Sequence, residues 1–468
     1  MKFKYNHIIV TLLLSVYLFS SCEDFVEVAA PENKMVRDVV FENEGTAKSA
    51  MTGIYNELFR AEFSNGQRNS ITILSGFSGD NISNIYDTNI ERIQFEQNEI
   101  IPDNSGNLSI WSSAYNIIYM TNSLLEGLEN SGGISEQVKT QLEGEARFIR
   151  AFSYFNLVNL YSDIPLLLTT DYEENQLLSR TPMSEVYEEI INDLLLAEEL
   201  LGGEFPENER TRVNSYTASA LLARVYLYLE DWDNAETFSS KVIEATSNYE
   251  ILNDPEEVFL ANSKEAIWQI SPLGGGGLST HTNEGNLLIV DPVLSFLAGI
   301  ELEEELAAIF DQEDKRLANW IGYDSGLEVF FAHKYKIRNS NDYPIEEYSM
   351  VMRLAEQYLI RAEARAHLGD LPEALQDIDV IRERAGISLI SEISPEIGQQ
   401  ALLDIIMLER RKELFTEWGH RWFDLKRTGR AGEVLGSQNP LWEATDIWYP
   451  IPSEERMRNP NLSQNEGY

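Results

Sequence analysis

Two segments of this chain carry the same helical hairpin, and that repeat constrains the fold more than any other feature. Ala223-Arg-Val-Tyr226 leads through Leu229-Glu-Asp-Trp232-Asp-Asn to Ala235, and Ala362-Glu-Ala-Arg365 leads through Leu368-Gly-Asp-Leu371-Pro-Glu to Ala374. In both, the alanines stand twelve residues apart across a tight polar turn. Small residues at that spacing let two antiparallel helices touch closely. The stripe before the second turn is regular: Ala355, Leu359, Ala362 and Ala366.

Helical periodicity extends beyond the repeats. From Trp111, residues Tyr115, Ile118, Asn122, Leu125 and Leu128 share one stripe. Phe148, Phe152 and Phe155, with Ile149, Ala151, Tyr154 and Val158, cover nearly every face of the next helix, which predicts burial among others. Ser162-Asp163-Ile164-Pro165 ends it, because proline cannot continue the ladder. Thr181 as N-cap and Pro182 at the first helical position are expected to open another helix. Val186, Ile190, Leu194, Ala197 and Leu201 form its apolar face, and Glu185, Glu188, Glu189 and Glu199 its wet one. These helices should form further pairs, as in tetratricopeptide arrays. Two stretches break the texture. Phe63 to Asp103 is rich in Ser, Asn, Gly and Asp and reads as irregular. Residues 266–345 carry short strand-like runs, Ala266 to Ser271 and the alternation Val329, Phe331, Tyr335, Ile337, around the Gly274–Gly277 loop. Long excursions from a compact scaffold commonly carry function.

The start of the chain has the form of a secretory signal. Lys2 and Lys4 precede the twelve-residue apolar run Ile8 to Phe19, and Ser20-Ser21-Cys22 follows. That run is too short to span about 30 Å of hydrocarbon. Cys22, the only cysteine, stands where a lipoprotein is cleaved and acylated, and two or more acyl chains would anchor it firmly. An incidental cysteine after a simple signal is the alternative. With no other thiol, disulfides and thiol nucleophiles are excluded. The chain carries 77 acidic and 36 basic residues, a net charge of −41, which argues against binding nucleic acid or anionic lipid.

Catalytic and cofactor motifs do not emerge. Of five histidines, His7, His281, His333, His367 and His420, no two downstream of the signal have metal-ligand spacing, so neither metal nor cofactor is expected. There is no HExxH, Walker loop or GxSxG elbow. A glycosidase carboxylate pair could hide among so many acids, but nothing marks one. His420, Arg421, Trp422 and Asp424 read as a structural Arg–carboxylate network fixing the last helix, Arg147…Arg150 reads the same way, and Trp232 reads as packing.

Leu408-Glu-Arg-Arg411-Lys-Glu-Leu-Phe-Thr-Glu417-Trp-Gly-His420-Arg421-Trp422-Phe423-Asp424-Leu-Lys426-Arg427 resembles the signature of the SusD/RagB family of outer-membrane lipoproteins from Bacteroidota. Arg353-Leu-Ala-Glu356…Arg361-Ala-Glu363, Trp111…Tyr119…Asn122, Glu145-Ala-Arg147…Arg150 and the tail Trp448-Tyr-Pro-Ile-Pro452…Asn459-Pro-Asn-Leu462…Gly467-Tyr468 resemble its other motifs. The resemblance implies a mainly α, SusD-like fold: a platform of about four tetratricopeptide-like helix pairs with irregular loop and short-strand excursions packed on it. It divides the chain into a signal peptide (1–21), a tether (22–34), an N-terminal region (35–265) and a C-terminal SusD/RagB region (266–468) folded with it as one unit. It implies a non-enzymatic capture protein, lipid-anchored in the outer membrane and facing outward. Such a protein passes an oligosaccharide, or in some members a peptide, to a SusC-like TonB-dependent transporter; a surface hydrolase is the remaining alternative. Glu23-Asp24 look like the family's acidic export signal, or are an ordinary solvated linker. Loops do not align from one sequence, so candidate ligand residues rest on residue type and context. Sugars need aromatic faces for stacking and planar polar groups for hydroxyls. Asp80, Asn81, Tyr86, Trp320 and Tyr323 are the candidates, with Trp320 expected to be an exposed stacking indole.

Overall fold

A computed structural model describes residues 40–86 and 88–468; the signal, Cys22, Glu23-Asp24 and the tether lie outside the described residues. The chain enters with α1 (Glu44–Arg60) and the short helix α2 (Ile71–Ser78). A row of eight helices forms the platform: α3 (Ser105–Glu129), α4 (Glu136–Tyr161), α5 (Met183–Leu200), α6 (Ser215–Tyr228), α7 (Trp232–Ile243), α8 (Leu354–Leu368), α9 (Leu371–Ala385) and α10 (Gln399–Leu414). Each packs against the next. The repeated hairpins are α6/α7 and α8/α9, and Ala223, Ala235, Ala362 and Ala374 are fully buried at their contacts. The signature helix α11 (His420–Arg427) closes the array against α2 and α10.

Helix α4 is the axis. From Leu142 onward it is buried on almost every side. Phe148 and Phe152 meet the Trp268 indole edge-on at 5.2 and 5.1 Å, and Phe152 meets Trp418 at 5.0 Å. An all-apolar helix is stable only where neighbours cover it, and here α3, α5, the Trp268 strand and the signature loop do so. One apolar cluster runs from Phe41 to Leu462.

Two small sheets join the excursions to this core. Strands β1 (Ile82–Asn84), β3 (Ile300–Leu302), β5 (Val329–Ala332) and β4 (Ile321–Asp324) pair antiparallel in the order β1-β3-β5-β4. Strands β2 (Ala266–Ile270) and β6 (Ser349–Arg353) form a buried antiparallel pair. The alternation expected through Ile337 ends at Ala332, because Lys334 turns inward to the Glu413 carbonyl and the Glu417 carboxylate.

The Ser/Gly-rich stretch after Phe63 differs most from expectation. Helix α2 lies inside it with all eight residues buried. Its small residues mark close packing. A Cβ on Gly79 would stand 2.9 Å from the Trp422 amide nitrogen, and one on Gly76 2.8 Å from Ile82. The start of α5 also differs. Thr181 bridges to Ile164, Pro182 holds the capping position, and the Met183 N–H donates to Asp163 Oδ1 at 2.8 Å. A carboxylate from the preceding loop thus does the work of a local cap.

Candidate functional site

The pairing of β1 with β3 sets Asn84 opposite Ile300, and the Ile85 N–H donates to the Gly299 carbonyl. Continuing that register brings Tyr86 beside Ala298, so two excursions more than two hundred residues apart meet in one cleft. Its volume is about 560 Å³. Gln67, Arg68, Tyr86, Thr88 and Arg92 line one side, and Asn283, Asn286, Asp291, Phe296 and Arg338 face them.

Local structure fixes most of these side chains. The short helix Ile90–Glu96 is capped by Asn89, whose Oδ1 accepts from the Arg92 N–H at 2.9 Å, so Arg92 leaves from a held first turn. Its guanidinium passes Gly299 and lies over the buried Phe77 ring. Opposite, Thr282 caps the helix Asn283–Leu288 by accepting from the Gly285 N–H. Gln67 donates to Asn283 Oδ1 at 3.1 Å across the cleft floor, and Asn286 donates to the Arg338 carbonyl at 3.0 Å. Behind that helix the Glu284 carboxyl is buried against Ser349, and desolvation raises its pKa to about 7. Gly66, at φ +73°, lies over this carboxyl; a Cβ there would come within 2.2 Å of it.

The cleft is cationic in a strongly acidic protein. Burial lowers the Arg92 pKa, and the neighbouring positive charge of Arg68 adds to that. Arg338 approaches Asp291 at 3.4 Å. The Asp291 carboxyl accepts from the Val293 and Leu294 N–H groups and lies below the ordinary carboxylate range for that reason. Tyr86 and Phe296 offer 42 % and 63 % of their surfaces to solvent.

The sequence candidates divide. Tyr86 lies in the cleft. Tyr323 is exposed on β4 beside Phe330, outside the cleft lining. Asp80 is a buried anchor, accepting from Arg421 Nε at 2.7 Å and pairing with Arg411 at 3.1 Å. Asn81 is buried too and accepts from Arg411 Nε at 3.0 Å. These two side chains tie the first excursion to α10 and α11 through their acceptor oxygens. Trp320 corrects the expectation of an exposed stacking indole. Its relative exposure is 0 %, its Nε1 donates to the Pro255 carbonyl at 3.0 Å, and Lys334, Arg353 and Arg384 surround its ring. Arg68, Arg92, Arg338, Asn283, Asn286 and Phe296 were not singled out from the sequence. One signal was available: between Phe63 and Asp103 the only basic residues are Arg68 and Arg92.

The signature residues build the network expected of them. Arg410 donates to Asp424 at 2.9 Å, and Arg427 spans Asp424 and Glu363. Arg353 joins Glu265, Glu413 and Glu417, while Arg316 joins Asp314, Glu409 and Glu413. Arg150 forks onto Asp193 and also donates to Asn122 on the Trp111 stripe. Trp232 is half-buried and stacks on His367 at 3.9 Å. Among the described residues no acid, histidine or cysteine cluster could hold a metal ion, and no helix is long and apolar enough to cross a membrane.

Two family models match. Residues 24–227 match one described as starch-binding associating with outer membrane, and residues 329–468 match the SusD family. SusD-like protein P25 of Formosa agariphila is 26 % identical over 99 % of this chain and 100 % of its own. A SusD superfamily protein from Bacteroides vulgatus ATCC 8482 superposes with a TM-score of 0.80 at 20 % identity, covering 92 % of this chain and 100 % of that one. A laminarin-binding SusD-like protein superposes at 0.75 with 23 % identity over 92 % of this chain and 100 % of its own. With both models in chain order, a full-length relative and this platform of stacked helices, the chain belongs to the SusD family.

Proposed function

We propose that the protein is a non-catalytic glycan-capture lipoprotein. It binds an oligosaccharide in the Tyr86–Phe296 cleft, is held at the outer membrane through Cys22, and passes its ligand to a TonB-dependent transporter. The observation that carries the reading is the cleft itself, where two exposed aromatic rings stand beside three amides, Gln67, Asn283 and Asn286. Rings stack on sugar CH faces and amides serve hydroxyls. The names of the matching family model and of the laminarin-binding neighbour support a sugar ligand. Among the described lining residues Asp291 is the single carboxylate, and it is engaged with Arg338 and two backbone amides. Glycoside hydrolysis ordinarily uses two flanking carboxyl groups, so capture without cleavage fits this lining better.

Glycan-array binding with product analysis after long incubation tests the reading. Binding without cleavage, reduced about tenfold or more by Tyr86→Ala, is expected. Shortened products, or binding of peptides alone, would overturn it. Cys22→Ala should move the protein from the membrane to the soluble fraction. The transporter is tested by co-purification of the membrane-anchored protein in mild detergent.

A further inference from the structure

We infer that the glycan taken by this cleft is acidic, bearing uronate carboxylates or sulfate esters. The inference rests on the reading of the cleft as a glycan site and adds the ligand's charge to it. Acidic residues outnumber basic ones by 77 to 36 in this chain, yet the described lining holds Arg68, Arg92 and Arg338 against Asp291 alone.

Asp291 answers Arg338 and the Glu96 carboxylate acts on Arg92, but a neutral sugar adds no counter-charge to this trio. Its hydroxyls are served by the amides already present and its CH faces by Tyr86 and Phe296. A guanidinium is a fork of fixed geometry that matches the paired oxygens of a carboxylate or sulfate. Among the described residues Arg68 makes no ion pair or hydrogen bond. Arg92 makes no ion pair there, and the Nε atoms of both Arg92 and Arg338 are buried without a hydrogen-bond partner. Arg68 and Arg92 repel each other, which adds to the burial that chiefly lowers the Arg92 pKa and opposes the Glu96 carboxylate that raises it. An anion seated between them would relieve that repulsion, which no neutral ligand can do. The acidic surface repels such a polymer at a distance, so recognition must come from contacts inside the cleft.

Affinity electrophoresis of the purified soluble protein tests this, using polygalacturonate and κ-carrageenan as acidic probes. Their carboxyl-reduced and desulfated forms, with starch and laminarin, are the neutral probes. Retardation by an acidic polymer is expected, falling at least tenfold when its charge is removed. The Arg68→Gln/Arg92→Gln variant should lose at least tenfold with its melting temperature kept. The charge-stripped polymers need no variant, so the test survives a folding defect. Equal or tighter binding of a neutral polymer, abolished by Tyr86→Ala, would overturn the acidic ligand and leave the glycan reading standing. Acidic binding that ignores both arginines would overturn it as well. Silence toward every polymer, or binding of acidic peptides alone, would overturn both.

Discussion

Trp320 lies beneath Lys334, Arg353 and Arg384, and this place decides its role. The indole covers part of a buried ion network that would otherwise need other apolar cover. Trp320→Ala should destabilise by about 3–5 kcal/mol, as large-to-small core changes do, while ligand affinity of the folded fraction stays unchanged. Denaturant unfolding and a binding titration on the same sample separate the two effects. Residue type alone misled here: an aromatic in an irregular segment can serve a sugar or a second core, and only tertiary placement distinguishes them. Glu284 supplies a contrasting case. Its folded pKa of about 7 lies above the unfolded value, so the folded state binds the extra proton between those values. The contribution of Glu284 to stability should therefore be full below the unfolded carboxylate pKa and be lost as pH rises through about 7. Glu284→Gln keeps an acceptor for Ser349 and removes the charge. It should flatten that slope and stabilise the protein at pH 8 by roughly 2–3 kcal/mol, measured by denaturation across pH.

The two hairpins show how one turn is built from different residues. In α8/α9 the helix ends on Gly369 at φ +88°, a left-handed cap natural to glycine. In α6/α7 the same position is Glu230 at φ +58°. A side chain there costs about 1 kcal/mol. Glu230→Gly should accordingly raise stability by about that amount, read as a shift in the urea midpoint with unchanged slope. At this scale the helices were legible because amphipathic periodicity is a local property. The burial of α4, the repeated turns and the face carrying Val186 to Ala197 follow from residues within one or two turns of each other. Helix α2 was not legible, since Ser75 and Gly79 are small for the sake of α11 and Gly76 for Ile82 of β1, and no local pattern records either approach. The cleft was half legible for the same reason. Tyr86 announced itself by type, whereas Phe296 reaches it through the β1–β3 register and Arg338 through its contacts with Asn286 and Asp291.

Across the molecule the buried charges are arranged so that α10 is held from several sides. Glu413 receives Arg316, Arg353 and Arg384, and these cations outweigh its desolvation and draw its pKa well below the usual range. Glu417 is lowered as well, by Arg353 and Lys334. The stability these pairs supply is present above the unfolded carboxylate pKa and is lost as pH falls through their folded values. Glu413→Gln leaves its arginine partners underpaid in charge and should cost about 3–5 kcal/mol at neutral pH. Its unfolding curve should also depend less on pH below about 4.5, the ordinary carboxylate value. Both effects are measurable by calorimetry across acid pH.

The union of α2 with α11 also governs the order in which the chain can fold. Asp80 has no cation until Arg411 and Arg421 have emerged from the ribosome, and the surface beside Gly79 has no cover until Trp422 has. This early core segment thus waits for partners more than three hundred residues downstream. A chain stopped at residue 408 should expose α2 to protease and bind hydrophobic dyes, while one reaching residue 468 resists both. Late closure of this kind leaves the polypeptide open until the lock that joins α2 to α11 has been made, near the end of its synthesis.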